Sequence, residues 1–209
     1  FNMLDYQRVF IRNCLKEGVL QFGTYSLKSG RTSPYFFNTG KFNTGRSIYE
    51  LGVAYAGAIT NYQVQFDTLF GPAYKGIPLG TAVSVALSQK YKRDIPFSFD
   101  RKEEKDHGER GILLGAPLKN RVLIVDDVIS SGLSIKRAMS IIENEGAKVV
   151  GVCIALDRQE RGTRQESAAT EISKAFNIRV YSIITLSDII DYLHDTADSS
   201  EELKAIESY

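Results

Sequence analysis

The chain has 209 residues, 43% of them apolar and 24% charged, which suits one globular domain with an appendage and excludes a low-complexity or disordered chain. Its formal net charge of +1 is not the footprint of a nucleic-acid-binding protein, and no apolar run approaches the ~20 residues needed to cross a bilayer. Cys14 and Cys153, the only cysteines, sit in neither a CxxC nor a His-rich setting, and no signal-peptide pattern appears, so a reducing cytoplasm is expected rather than a disulfide framework or a zinc site.

Phe1 and Asn2 precede Met3 and are expected to lie outside the native sequence. In residues 4–16, Val9, Phe10, Cys14 and Leu15 fit one face of a helix that Gly18 would stop. Two aromatic strand-like runs, 22–27 and 34–37, are joined by residues 28–33 and predict a hairpin. Phe36 and Phe37 suit core packing and Lys28 a solvated turn, but flat aromatics beside a cation also suit a planar anionic ligand. Residues 47–62, with Ile48, Leu51, Tyr55 and Ile59 at helical spacing, predict a second helix.

A short strand at 66–70 then leads into Gly71-Pro72-Ala73-Tyr74-Lys75-Gly76. Glycine at both ends permits positive φ, and Lys75 brings a cation to the strand end. A helix at 79–91 and a strand at 95–99 continue the alternation. Residues 100–111, DRKEEKDHGERG, contain nine Asp, Glu, Lys or Arg residues, one His and no apolar side chain, the composition of a mobile solvated loop. Arg101, Lys102, Lys105 and His107 equally supply the cations that a lid over pyrophosphate requires.

The most informative stretch is VLIVDDVISSGLS, residues 122–134. Its four leading apolar residues read as a strand buried on both faces, and Asp126 and Asp127 fall at the carboxyl end, where ligands of open α/β sheets bind. Val128 and Ile129 lead to Ser130, Ser131, Gly132, Leu133 and Ser134, a small-residue loop opening a helix at 135–145. Such a loop is either a plain turn and cap or a cradle of N–H groups for phosphate. Neither GxGxxG nor GxxxxGK[ST] occurs, so a dinucleotide fingerprint and a P-loop are both excluded. An apolar strand at 149–156 ends beside Arg158, whose guanidinium could clamp a ligand carboxylate or pair with Asp157 or Glu160. A helix at 166–176, a strand at 180–184 and helices at 186–193 and 201–206 close the chain.

From residue 66 onward the order implies an α/β fold with a doubly wound parallel sheet. Residues 1–65 are expected to form an N-terminal helix and hairpin hood, and 66–209 the ligand-binding core with its C-terminal helices, as one compact unit.

VLIVDDVISSGLS resembles the phosphoribosyl diphosphate (PRPP) binding motif of the type I phosphoribosyltransferases. LKSGRTSPYFFN at 27–38 and RKEEKDHGERG at 101–111 closely resemble the hood and the catalytic lid of bacterial orotate phosphoribosyltransferases. The resemblance implies that Asp126 and Asp127 hold the ribose hydroxyls and that the 128–134 loop holds the 5-phosphate. Leu133 stands where the family often has Thr, which leaves the backbone amide without that hydroxyl. It further implies PRPP contacts from Lys28, Tyr74, Lys75, Arg101, Lys102, Lys105 and His107. Phe36, Phe37, Ser130 and Arg158 would meet orotate. Arg101, Lys105, His107 and the acidic pair would be catalytic.

The implied reaction is Mg²⁺-dependent transfer of phosphoribosyl from PRPP to orotate, giving orotidine 5-monophosphate and pyrophosphate in pyrimidine biosynthesis. Mg²⁺ would be held mainly through PRPP and pyrophosphate, with no side-chain metal cage. The implied assembly is a homodimer whose lid crosses to the neighbouring site, with no nucleic-acid or membrane partner. The alternatives are another purine or pyrimidine phosphoribosyltransferase, or a PRPP-sensing regulator.

Overall fold

The computed structural model describes residues 3–28, 30–104, 111–160, 166–196 and 200–209. Helix α1 (Asp5–Lys16) buries Phe10, Ile11 and Cys14 and ends as expected at Gly18, whose φ of +71° lets the Val19 N–H donate back to the Cys14 carbonyl at 2.8 Å. Strands β1 (Leu20–Ser26) and β2 (Thr32–Phe37) form the antiparallel hairpin, with a register shift between Phe22 and Tyr25. Helix α2 (Gly45–Asn61) starts at Thr44, whose hydroxyl accepts the Ser47 N–H at 3.2 Å.

The remaining elements are β3 (Thr68–Gly71), α3 (Gly76–Tyr91), β4 (Phe97–Asp100), β5 (Leu113–Gly115), β6 (Arg121–Val125), α4 (Leu133–Asn144), β7 (Lys148–Asp157), α5 (Ala168–Phe176), β8 (Arg179–Thr185), α6 (Leu186–Asp195) and α7 (Ser200–Glu207). They build a six-stranded sheet in the order β5-β4-β3-β6-β7-β8. All neighbours pair in parallel except β5, which runs antiparallel to β4 on the edge. That edge strand is a feature the sequence reading lacked. It has three residues, too few for a periodic signal. It is fixed by Gly115, where φ is +85° and a Cβ would come within 2.6 Å of the Phe97 carbonyl oxygen.

Strand β6 explains why the sheet is covered on both faces. Leu123 and Val125 join the core with Phe10 of α1, Leu51 of α2, Val83 of α3 and Ile189 of α6. Val122 and Ile124 point the other way, onto Ile135 and Ile142 of α4 and Ile172 of α5. Each of these side chains is buried, worth about 1.5–3 kcal/mol relative to exposure. A polar residue at any of the four would have no water and no partner.

The chain leaves β3 for β4 in one direction, then returns to place β6 on the other side of β3 and winds outward through β7 and β8. The direction reverses between β3 and β6, and the crevice outside their carboxyl ends is the place such a sheet offers a ligand. Phe70 is registered against Ile124. The loops starting at Gly71 and Asp126 therefore open side by side.

Candidate active site

Asp126 is the first residue past β6 and is 7% exposed. Its main chain is fixed on two sides. Its N–H donates to the Cys153 carbonyl at 3.1 Å, and its carbonyl accepts the Tyr55 hydroxyl at 2.7 Å. Burial raises the Tyr55 pKa, which keeps the proton on that hydroxyl as donor. The Asp126 carboxyl accepts the Asp127 N–H at 2.9 Å and the Ser134 hydroxyl at 3.2 Å. Asp127 is the more accessible of the pair, and its carboxylate accepts the Val128 N–H at 2.8 Å and lies 3.4 Å from the Lys75 ammonium. That contact joins the two loops across the switch point.

Burial, and next the charge of Asp127, push the Asp126 pKa up to about 7; the Asp127 amide and the Ser134 hydroxyl pull it down without compensating. A carboxyl whose folded pKa is raised contributes stability that is fully present below its unfolded value, about 4, and is lost as pH rises through the folded value. Ligand-free protein should therefore lose stability between about pH 4 and pH 7 on account of this group. Asp126→Asn, which cannot ionise, should melt progressively higher relative to wild type from pH 5 to pH 8. Parallel profiles of melting temperature against pH would contradict this assignment.

The 128–134 loop is anchored from both sides. Val128 packs on the core cluster that includes Leu123, and Ile129 on the opposite one, so these two leave their backbone rather than their side chains to a ligand. Gly132 is the residue before α4, with φ +74°, and a Cβ there would meet Ile172 at 2.5 Å. Glycine is thus needed twice over. Gly132 has no side chain to cap this helix start, and the one side-chain contact to its first turn, from the Leu133 N–H to the Ser131 hydroxyl, is long at 3.5 Å, so an anion can compete for these N–H groups and the helix dipole. Ser130, Ser131 and Ser134 are exposed beside it, and Leu133 is 67% exposed.

Across the crevice, Gly71 and Gly76 do not have positive φ. The positive φ expected of them is therefore not why they are glycine. A Cβ on Gly71 would lie 2.1 Å from the Gly76 carbonyl oxygen, so glycine is required because the first turn of α3 folds directly against the end of β3. The exposed Tyr74 ring has the Lys102 ammonium 5.0 Å from its centroid. The expectation of a loop beginning at residue 100 also needs correction. Asp100 is the last residue of β4 and 2% exposed, and the Arg101 N–H donates to the Ile112 carbonyl at 2.8 Å. Strand pairing with β5 holds the base of this segment. Lys105 and His107 lie outside the described residues.

Arg158 follows β7 beneath the hairpin. Its Nε donates to Glu160 at 2.8 Å, Nη2 donates to the Ser33 hydroxyl at 3.2 Å, and the guanidinium lies 4.3 Å from the Tyr35 ring centroid. The pairing with Glu160 was one of the two readings of this residue. A guanidinium has five N–H donors, so this one retains donors for a ligand carboxylate. Phe36 is exposed and its ring is tilted against that of Tyr25, with centroids 5.4 Å apart, whereas Phe37 packs on the core. Neighbouring strand residues face opposite ways, which divides this pair between two faces. Lys28 is exposed at the hairpin turn.

The structure thus brings Lys75, Asp126, Asp127 and the 130–134 loop into one crevice, with Tyr74, Arg101 and Lys102 on its β4 side. Asp100, Arg137 and Tyr55 are parts of this arrangement that sequence reasoning missed. For Asp100 a signal existed: FSFD, like LIVD and ALD, ends an apolar strand in Asp. Tyr55 and Arg137 carried none, being one more apolar position and one more surface cation of a helix.

Residues 45–182 match the family model described as phosphoribosyl transferase domain. Over 207 residues the chain is 51% identical to the orotate phosphoribosyltransferase of Pseudomonas aeruginosa, covering 99% of this chain and 97% of that protein. It belongs to the orotate phosphoribosyltransferase family. The family's Cronobacter sakazakii member is 52% identical over the same length. The crystal structure of orotate phosphoribosyltransferase from Francisella tularensis superposes with a TM-score of 0.86 at 41% identity, covering 96% of each chain. The fold class is therefore the type I phosphoribosyltransferase one. The fold also extends to the Mycobacterium tuberculosis enzyme solved with PRPP, at 22% identity, a TM-score of 0.64 and coverage of 88% of this chain and 98% of that one. No helix among the described residues is long and apolar enough to cross a membrane.

Proposed function

We propose that this chain transfers the phosphoribosyl group of PRPP to a ring nitrogen of orotate, releasing pyrophosphate, in pyrimidine biosynthesis. The observation that carries the reading is the contact of Lys75 with Asp127 across the switch point. It sets carboxylates for the ribose and a cation for the diphosphate in one crevice. In the reaction the ring nitrogen gives up its proton to water or to the departing pyrophosphate and donates its electron pair to the anomeric carbon, and the bond from that carbon to the pyrophosphate oxygen breaks, its electrons leaving with pyrophosphate. Positive charge grows on the ribose and negative charge on the leaving group. Asp126 and Asp127 hold the ribose diol and stabilise the cationic carbon, and the α4 amides and serines hold the 5-phosphate. Lys75, Arg101 and Lys102, with Lys105 and His107, oppose the leaving charge. The Lys75–Asp127 pair is exposed on its lysine side, so releasing Lys75 toward the diphosphate costs only about 1 kcal/mol or less.

Among the described residues no group of three or more His, Cys, Asp or Glu side chains could hold a metal ion. We propose that Mg²⁺ arrives on the diphosphate oxygens of PRPP and completes its coordination with water. When bound it neutralises phosphate charge. The assembly we propose is a homodimer in the cytoplasm, with the segment after Arg101 closing over the neighbouring site.

Base choice tests the reading. In this reading Arg158 uses its remaining donors to clamp the orotate carboxylate, so uracil, which lacks that group and leaves the guanidinium without it, should be a very poor substrate. Arg158→Ala should raise the KM for orotate by at least about tenfold and leave that for PRPP within about twofold. Comparable use of uracil and orotate, or efficient use of hypoxanthine, would overturn it in favour of another phosphoribosyltransferase activity.

A further inference from the structure

Strand β4 alternates half-buried Phe97 and Phe99 with buried Ser98 and Asp100, so its last residue carries a carboxylate inward. A carboxylate taken that far out of water needs hydrogen-bond partners. Asp100 has two, from different elements: the Ala73 N–H at 2.6 Å and Arg137 Nε at 3.2 Å. The same guanidinium uses Nη2 to donate to the Arg101 carbonyl at 2.9 Å. Arg137 lies one turn along α4 from Ser134, the donor to Asp126. One helix face thereby holds both the ribose carboxylate and the end of β4.

Neither Asp100 nor Arg137 is among the residues assigned above to PRPP or orotate. We propose that the two form a positioning clasp: they fix the Ala73 peptide, just ahead of Tyr74 and Lys75, and the Arg101 main chain in the arrangement that receives the diphosphate of PRPP. This rests on the proposed function, in which Lys75 faces the diphosphate of PRPP. The ammonium of Lys102 over the Tyr74 ring is a second tie between the same two segments. The clasp needs a planar fork. One guanidinium serves two acceptors at fixed angles, which a lysine ammonium does not reproduce.

The test is titration of PRPP by calorimetry into wild type, Arg137→Gln, Arg137→Lys, Asp100→Asn and the Asp100→Asn/Arg137→Gln double variant, followed by steady-state kinetics. Arg137→Gln should weaken PRPP binding roughly tenfold and lower kcat/KM for PRPP alike, with the KM for orotate unchanged. Arg137→Lys, although it keeps the charge, should show most of that loss. The double variant should lose no more than the worse single one, because both changes break the same clasp. PRPP affinity within about twofold of wild type in a folded Arg137→Gln protein would overturn the proposal. So would full rescue by lysine, or equal losses for PRPP and orotate that track a lowered Tm. The Arg137 side chain is 43% exposed, so its replacement opens no cavity and decides the matter even if Asp100→Asn fails to fold. The titration uses no orotate and remains decisive should another base prove to be the acceptor.

Discussion

Asp126→Asn and Asp127→Asn should each lower turnover by about 10²–10³-fold while leaving a folded protein, the size of effect that removing one preorganised charged or hydrogen-bonding group commonly has. The two losses have different origins. Asp127 is the accessible carboxylate, with Lys75 as its partner, and its replacement removes negative charge from beside the developing ribose cation. Asp126 is buried and its pKa lies near 7. The amide is close in shape to the protonated acid that the fold already accommodates, but it can accept from only one side and cannot ionise. Its deficit should therefore widen from pH 6 to pH 8, as the wild-type group loses its proton. Steady-state rates on variants checked by circular dichroism measure this. Wild-type turnover in both folded proteins would remove the acidic pair from the mechanism.

Mixing two inactive proteins should restore activity. Lys105→Ala breaks the proposed lid, and Asp126→Asn with Asp127→Asn breaks the ribose site. If the lid of one subunit serves its neighbour, a mixed dimer has one site in which both defects meet and one assembled from two intact halves. After subunit exchange at equal amounts, about a quarter of wild-type activity should appear, since half of randomly paired dimers are mixed and each has one sound site of two. If every subunit closes its own lid, each site retains a defect and nothing is recovered. A confirmed heterodimer without activity would exclude the shared site.

Most of the fold was legible because strands buried on both faces cannot hide. The unalternating run at 122–125 and the Asp pair behind it locate the sheet centre and its ligand end without any coordinates. Strand β5 was not legible, since three residues carry no period and its place depends on Gly115 approaching Phe97. Gly71 and Gly76 were identified as special for the wrong cause, because sequence reveals that a position is glycine and not whether φ or close contact demands it. In the site, Asp126, Asp127 and Lys75 could be found from their positions at strand ends. Arg137 could not. Its role depends on which neighbour of α4 carries a buried carboxylate, and that is a property of the packed structure.

One measurement tests the proposed transfer most directly: loss of orotate absorbance with PRPP and Mg²⁺, with pyrophosphate release followed in the same samples. Wild type should consume orotate and release pyrophosphate in equal amounts, while the folded Asp126→Asn/Asp127→Asn protein does neither at a comparable rate. Folded wild-type protein that leaves orotate untouched, or releases pyrophosphate without consuming it, would contradict the account.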